Sequence, residues 1–142
     1  TATASDVNAE TAIRQHYHGQ RILLVDDEPT NLEIVQRQLE DASLLVDSAC
    51  DGIEAVAMAQ KHSYAAILMD MQMPTMNGLD ATRRIREILE HRDTPIIAMT
   101  ANAFAEDKRL CLEAGMNDFL TKPFTPKQLY TTLFLALNSR KS

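Results

Sequence analysis

The chain has 142 residues, 45% of them hydrophobic and 24% charged, enough to bury one core without disulfides or a structural metal. A formal net charge of -6 with no run of clustered Lys and Arg excludes a phosphate-backbone surface, so no direct contact with nucleic acid is expected. Cys50 and Cys111 lack metal-ligand spacing, and no stretch approaches the roughly 18 apolar residues of a membrane span, so a cytoplasmic domain without membrane contact is expected.

Residues 1–19, TATASDVNAETAIRQHYHG, lack the basic start and apolar middle of a signal peptide. They are polar, rich in Ala and Thr, and end at Gly19, which predicts a linker or frayed helix as an N-terminal extension, with the globular domain over 20–142. His16 and His18 read as solvated residues without a role. RILLV at 21–25 predicts the first strand, and Pro29 suits an early position in the helix that follows, where no backbone donor is needed. In that helix Ile34, Val35, Gln38 and Leu39 are expected to form the apolar face.

LLVDSA at 44–49 predicts the second strand and is followed by a helix over 52–61. AAILM at 65–69 is a continuous apolar run, the mark of a strand buried on both faces, and it stops at Asp70. The Asn77-Gly78 turn opens a helix over 79–91. PIIAMT at 95–100, a helix over 104–114 closed by Gly115, DFLT at 118–121 and a helix over 126–139 complete the chain.

Five strands alternating with five helices imply an α/β fold, a parallel sheet with helices on both faces. Ligands of such sheets gather at the carboxyl ends of the strands. Those ends carry Asp26 and Asp27, then Asp70, then Thr100, then Lys122 followed by Pro123, while Ser48 and Cys50 at the second strand are chemically quiet. Three carboxylates in one crevice repel, since two unit charges about 4 Å apart cost on the order of 4 kcal/mol at an effective dielectric near 20. A hard divalent cation suits an all-oxygen set, and Lys122 supplies the remaining positive charge. In such a neutralised cradle Asp70 has the makings of a nucleophile toward phosphorus, and Thr100 offers a hydroxyl to the same phosphate.

The segments LLVDDEPTN, ILMDMQMPTMNG, PIIAMTANA and FLTKPF together resemble the receiver domains of response regulators in two-component signalling, over residues 21 to about 138. The resemblance implies a flavodoxin-like (βα)5 three-layer sandwich with strand order 2-1-3-4-5. It implies Asp70 as phosphoacceptor, Asp26 and Asp27 as an acidic metal pair, the Gln72 backbone carbonyl as a further ligand, and Mg2+ or Mn2+ as the ion. Thr100 and Lys122 match the phosphate ligands, and the Lys122–Pro123 bond is expected to be cis. Phe119 matches the family's switch aromatic, without the hydroxyl of the tyrosine seen in many relatives; the alternative is a plain core phenylalanine. Gln72 and Asn102 fall where receivers tune phosphate lifetime.

The wording of these segments is most similar to receivers of hybrid histidine kinases. The implied partners are a histidine kinase and a histidine-containing phosphotransfer domain. No output segment follows the last helix, so a free regulator, a hybrid-kinase receiver and a receiver parted from its output domain all stay open. Leu32, about 80° off the apolar face of its helix, is expected either as an exposed partner contact or as an edge of the core. On the last helix Leu129, Leu133 and Leu137 are expected in the core; Tyr130 and Phe134 form a second stripe, either more core or the face of a weak homodimer.

Three other classes compete. DDEPT partly resembles the D-x-D-x-T segment of haloacid-dehalogenase-like aspartyl phosphohydrolases, with Asp26 as nucleophile, but Glu28 breaks it and ILMDMQMP is left without a job. A flavin module needs a glycine- and hydroxyl-rich phosphate loop, which the acidic DDE loop opposes. A degenerate receiver serving as a binding scaffold need not retain all five chemical groups. The domain is thus expected to carry its own phosphorylation and dephosphorylation at Asp70 without being a conventional enzyme.

Overall fold

The computed structural model describes residues 2–71, 76, 78–88, 91–101, 105–122 and 124–141. In chain order these form α1 (Ala2–His16), β1 (Arg21–Val25), α2 (Pro29–Asp41), β2 (Leu45–Ala49), α3 (Gly52–Lys61), β3 (Ala66–Asp70), α4 (Gly78–Arg86), β4 (Ile96–Thr100), α5 (Ala105–Ala114), β5 (Asp118–Thr121) and α6 (Pro126–Lys141). All strand pairs are parallel and the sheet runs β2-β1-β3-β4-β5, the order expected for a flavodoxin-like fold.

The two-residue period of the strands sorts the core into two halves. Ile22, Leu24, Leu68, Ile97 and Met99 point to one face, where Val35 and Leu39 of α2 and Leu129, Leu133 and Leu137 of α6 cover them. Leu23, Val25, Ile67, Met69, Ile96 and Ala98 point to the other, under Ala55 and Ala59 of α3, Ala81 and Ile85 of α4 and Cys111 of α5. Because β3 is the central strand with helices on both sides, all five of its residues are buried, which is why AILMD reads as an unbroken apolar run up to its last residue.

The extension before Gly19 folds into α1, a sixth helix. Its Ala9, Ile13 and Tyr17, spaced i, i+4 and i+8, are buried in the first core half. Tyr17 donates its hydroxyl to Asn138 Oδ1 at 2.5 Å and meets Phe134 edge-on at 6.2 Å, and Arg14 Nε donates to the Asp41 carbonyl at 2.8 Å. Gly19 then turns the chain into β1 with φ of 78°, in the left-handed region that glycine enters without steric cost. His16 and His18 are exposed.

Two expectations about helices are corrected. Ile34 is not on the apolar face of α2: it is 52% exposed, because Leu32, Val35 and Leu39, spaced i, i+3 and i+7, form the inward stripe and Ile34 lies a quarter turn or more outside it. The helix expected over 79–91 ends at Arg86, after which the chain tightens into i to i+3 turns, Glu87 N to Arg84 O and Ile88 N to Ile85 O. Arg86 fixes that break, its guanidinium donating to the carbonyls of Gly115 and His91 and to Asn117 Oδ1 at 2.7–2.9 Å. The other helix bounds agree closely; α3 is Gly52–Lys61 as expected. Among the described residues no helix is long and apolar enough to cross a membrane.

Candidate active site

Strand register lines the acidic and basic residues up at one end of the sheet. Val25 of β1 pairs with Met69 of β3, so the next step sets Asp26 beside Asp70. Asp70 pairs with Met99, one residue short of Thr100, and Thr100 pairs with Thr121, one residue short of Lys122. The ladder continues past the strands: Asp26 N donates to Ala49 O at 3.1 Å, Met71 N to Met99 O at 3.1 Å and Lys122 N to Thr100 O at 2.7 Å. Backbone hydrogen bonds therefore hold the rim rigid where the functional side chains leave it.

Asp26, Asp27 and Asp70 each offer a carboxylate oxygen, and these oxygens all lie within 4.8 Å of one another. Asp26 is fully buried and Asp70 is 4% exposed, whereas Asp27 faces solvent. Asp26 is tied from several sides: Glu28 N donates to its Oδ1 at 2.9 Å, and Asn31 Nδ2 and Lys122 Nζ donate to its Oδ2, the latter at 3.2 Å. Lys122 also reaches Asp70 Oδ1 at 3.4 Å. One ammonium thus bridges two buried carboxylates, and a third carboxylate stands at the mouth. Burial pulls the Lys122 pKa down, but attraction to Asp70 and then Asp26, with hydrogen bonds to both, holds it above the ordinary lysine value.

Thr100 closes β4, half-buried, with its carbonyl engaged by Lys122 N. Phe119 lies in β5 two residues before Thr121, the partner of Thr100, and is paired with Ala98; its ring packs on the second core half and lies 4.8 Å under Lys108 Nζ. Gln72, Asn102 and Pro123, expected as a backbone ligand, a lifetime residue and a cis proline, lie outside the described residues. Leu32 is only half-buried and packs against the first core half. Tyr130 is buried, donating to Gln38 O at 2.8 Å, and Phe134 lies against Tyr17, so both belong to packing within the chain.

Sequence reading passed over Asn31, although it stands inside LLVDDEPTN; two residues after Pro29 in the first turn of α2, it is placed to reach back over the loop to Asp26. It also passed over the cap of α3. Asp51 Oδ1 accepts from Glu54 N at 2.7 Å, an N-cap legible as D-x-x-E, while Glu54 Oε1 accepts from Cys50 N, one residue before the cap, at 2.8 Å.

The response regulator receiver domain family matches residues 22–134. Sensor protein GacS of Pseudomonas syringae pv. syringae is 45% identical over 112 residues, covering 77% of this chain and 12% of that protein. Hybrid signal transduction histidine kinase B of Dictyostelium discoideum is 43% identical over 115 residues, covering 73% of this chain and 6% of that protein. The chain thus spans only 6% and 12% of the length of these two relatives. Among solved structures, the receiver domain of sensor histidine kinase PA1611 from Pseudomonas aeruginosa PAO1 is 44% identical with a TM-score of 0.80, covering 84% of this chain and 98% of that one, and is described with a magnesium ion coordinated in its active site cleft.

Proposed function

This chain belongs to the response regulator receiver domains, and from that premise we propose that it accepts a phosphoryl group on Asp70 and stores it as an acyl phosphate within a phosphorelay. The observation that carries the reading is the cluster itself, three carboxylates drawn together at the rim of the sheet with one lysine between two of them. A cluster with this excess of negative charge costs stability, and the cost is offset when a cation or a cation with a phosphoryl group joins it.

The donor set fits a hard divalent ion such as Mg2+ or Mn2+: oxygen atoms only, and more negative charge than Lys122 alone can balance. Asp26, Asp27 and Asp70 would hold it, with the Gln72 carbonyl as a fourth protein ligand. When bound, the ion supplies charge neutralisation at the phosphoryl oxygens.

In the transfer step an Asp70 carboxylate oxygen attacks phosphorus. The O–P bond forms as the donor's P–N bond breaks, and the phosphohistidine imidazole leaves and takes up a proton from water. Lys122, already aimed at Asp70, turns its ammonium to the incoming equatorial oxygens. Thr100 donates its hydroxyl to the phosphate, and its movement makes room for Phe119, which shifts to report the modified state.

The donor in this reading is a histidine kinase of the hybrid type, with a histidine-containing phosphotransfer domain as the receiver of the phosphate, in the cytoplasm; the 43% identity to hybrid signal transduction histidine kinase B supports the hybrid origin. A weak homodimer on this face would rest on Phe134, which is half-buried against Tyr17, because Tyr130 is buried and bonded to Gln38 O. The hydrolase alternative would need Asp26 free to attack, and Asp26 is fully buried and bonded by three donors.

The test is intact-protein mass after incubation with acetyl phosphate and Mg2+. Wild type gains one phosphoryl group, and Asp70→Asn gains none. Stoichiometric labelling of Asp70→Asn would contradict the assignment.

A further inference from the structure

Phe119 lies under a cation that no role has claimed so far. Lys108 of α5 holds its ammonium 4.8 Å from the centre of the Phe119 ring, and both residues are half-buried. A phenyl ring offers no hydrogen bond, but its face attracts a cation. Lys108 stands one turn before Cys111, which is buried in the second core half, so α5 presents the ammonium from a fixed position.

The strand beneath the ring is equally fixed. β5 is an edge of the sheet: it pairs with β4 along its length, and Phe119 N donates to Asp118 Oδ1 at 2.8 Å. Change at Phe119 therefore falls on its side-chain torsions. The register also sets the ring within reach of Thr100. Thr100 pairs with Thr121 and Phe119 with Ala98, so Thr100 and Phe119 leave the same face of the sheet on adjacent strands, with α-carbons roughly 8 Å apart at ordinary strand spacing and rise.

We infer that Lys108 is a latch on Phe119: its ammonium holds the ring in the position of the unmodified site, and that hold opposes the ring's shift when Thr100 turns to a phosphoryl group. Lys108 is thus a positioning residue that acts through Phe119 and sets how readily the crevice accepts the group. Linkage fixes the sign. Removing a contact made only in the unmodified state favours the modified one, and phosphoryl affinity rises. Loss of a positive charge acting directly on the anion would lower it. The inference rests on the reading of Asp70 as acceptor and of Phe119 as the residue that shifts.

Equilibrium titration of the full chain with beryllofluoride, a stand-in for the phosphoryl group, at saturating Mg2+ tests it, with the bound fraction read from fluorine NMR. Lys108→Met keeps the apolar stem and removes the charge; it is expected to bind beryllofluoride about threefold more tightly than wild type, the range open to a partly exposed cation–aromatic pair. Lys108→Arg keeps a cation for the ring and is expected to stay within about 1.5-fold of wild type. In a Phe119→Leu background, Lys108→Met is expected to bring no tightening, because the pair is already broken.

Unchanged or weakened binding in Lys108→Met would overturn the proposal, and so would equal tightening with and without the Phe119 ring. If Phe119→Leu does not fold, the two Lys108 variants carry the test, and tightening by Lys108→Arg as large as that by Lys108→Met would overturn it. Wild type that binds no beryllofluoride in the presence of Mg2+ would instead sink the functional reading on which the inference stands.

Discussion

Two groups of charged residues on this sheet use similar chemistry to opposite ends. On the β2 side, away from the crevice, Asp47 accepts from Arg21 at 2.9 Å and from the Tyr64 hydroxyl at 2.9 Å, so one carboxylate meets one cation and one neutral donor. At the carboxyl ends of the strands, three carboxylates meet one lysine. The first group is complete within the chain. Among the described residues the second is short of positive charge, and on the proposed reading a cation and a phosphoryl group would make up that deficit. Burial alone does not separate the two, because Tyr64 and Asp26 are both almost wholly enclosed.

The comparison is broken most severely by taking away the shared lysine. Lys122→Ala should slow labelling by acetyl phosphate at saturating Mg2+ by about a hundredfold, the range lost when a donor to developing charge is removed. A rate within threefold of wild type would remove Lys122 from the phosphate's surroundings.

The next effect has opposite signs in the two groups. Asp47→Asn should destabilise the fold by about 1–2 kcal/mol, the cost of weakening a charged hydrogen-bonded pair that is partly exposed. Without Mg2+, Asp70→Asn should instead stabilise it by about 1 kcal/mol, because one of three repelling charges is gone. Urea unfolding of both variants at neutral pH and fixed salt checks the pair, and a loss of stability in Asp70→Asn would weaken the idea of a stored repulsion.

Acid sharpens the same contrast. Burial pushes the Asp47 carboxyl up, but the Arg21 and Tyr64 hydrogen bonds and the Arg21 charge outweigh it and hold the pKa below the ordinary 3.8. A depressed folded pKa contributes stability above the unfolded value and loses it as pH falls through the folded one. The stability gap between wild type and Asp47→Asn should therefore hold at neutral pH and close below about pH 3.8. A gap constant down to pH 2 would contradict this.

The smallest effect lies at Tyr64, whose phenol burial and the adjacent Asp47 push above its ordinary 10.0. A phenol with a raised folded pKa stabilises below the unfolded value, and that contribution fades as pH rises beyond it. Tyr64→Phe should cost about 1 kcal/mol at neutral pH. Wild type should lose this advantage above pH 10, followed by denaturant unfolding.

How far each group was legible in the sequence follows from what local pattern can carry. The crevice could be read because each member closes an apolar run and a parallel sheet brings such ends together, so Asp26, Asp70, Thr100 and Lys122 fell into place from spacing alone. The Asp47 group could not, since Arg21 and Asp47 are brought together by the pairing of β1 with β2 and Tyr64 reaches Asp47 from the segment before β3, contacts that no local pattern records. The extension before Gly19 had its signal in Ala9, Ile13 and Tyr17, which a polar, Ala- and Thr-rich composition obscured. Ile34 was drawn onto the apolar face by hydrophobicity, while the geometry of the helix favoured Leu32. The early end of α4 depends on Arg86 reaching Gly115 and Asn117, contacts to a distant turn that no local period records.

The central claim is that phosphorus binds to the carboxylate at the end of the middle strand. After incubation with acetyl phosphate and Mg2+, reduction with tritiated borohydride converts an acyl phosphate to a labelled homoserine, and peptide mapping places it. The account predicts label at position 70 alone. Label at position 26 or 27, or a phosphorylated protein that borohydride leaves unlabelled, would contradict it.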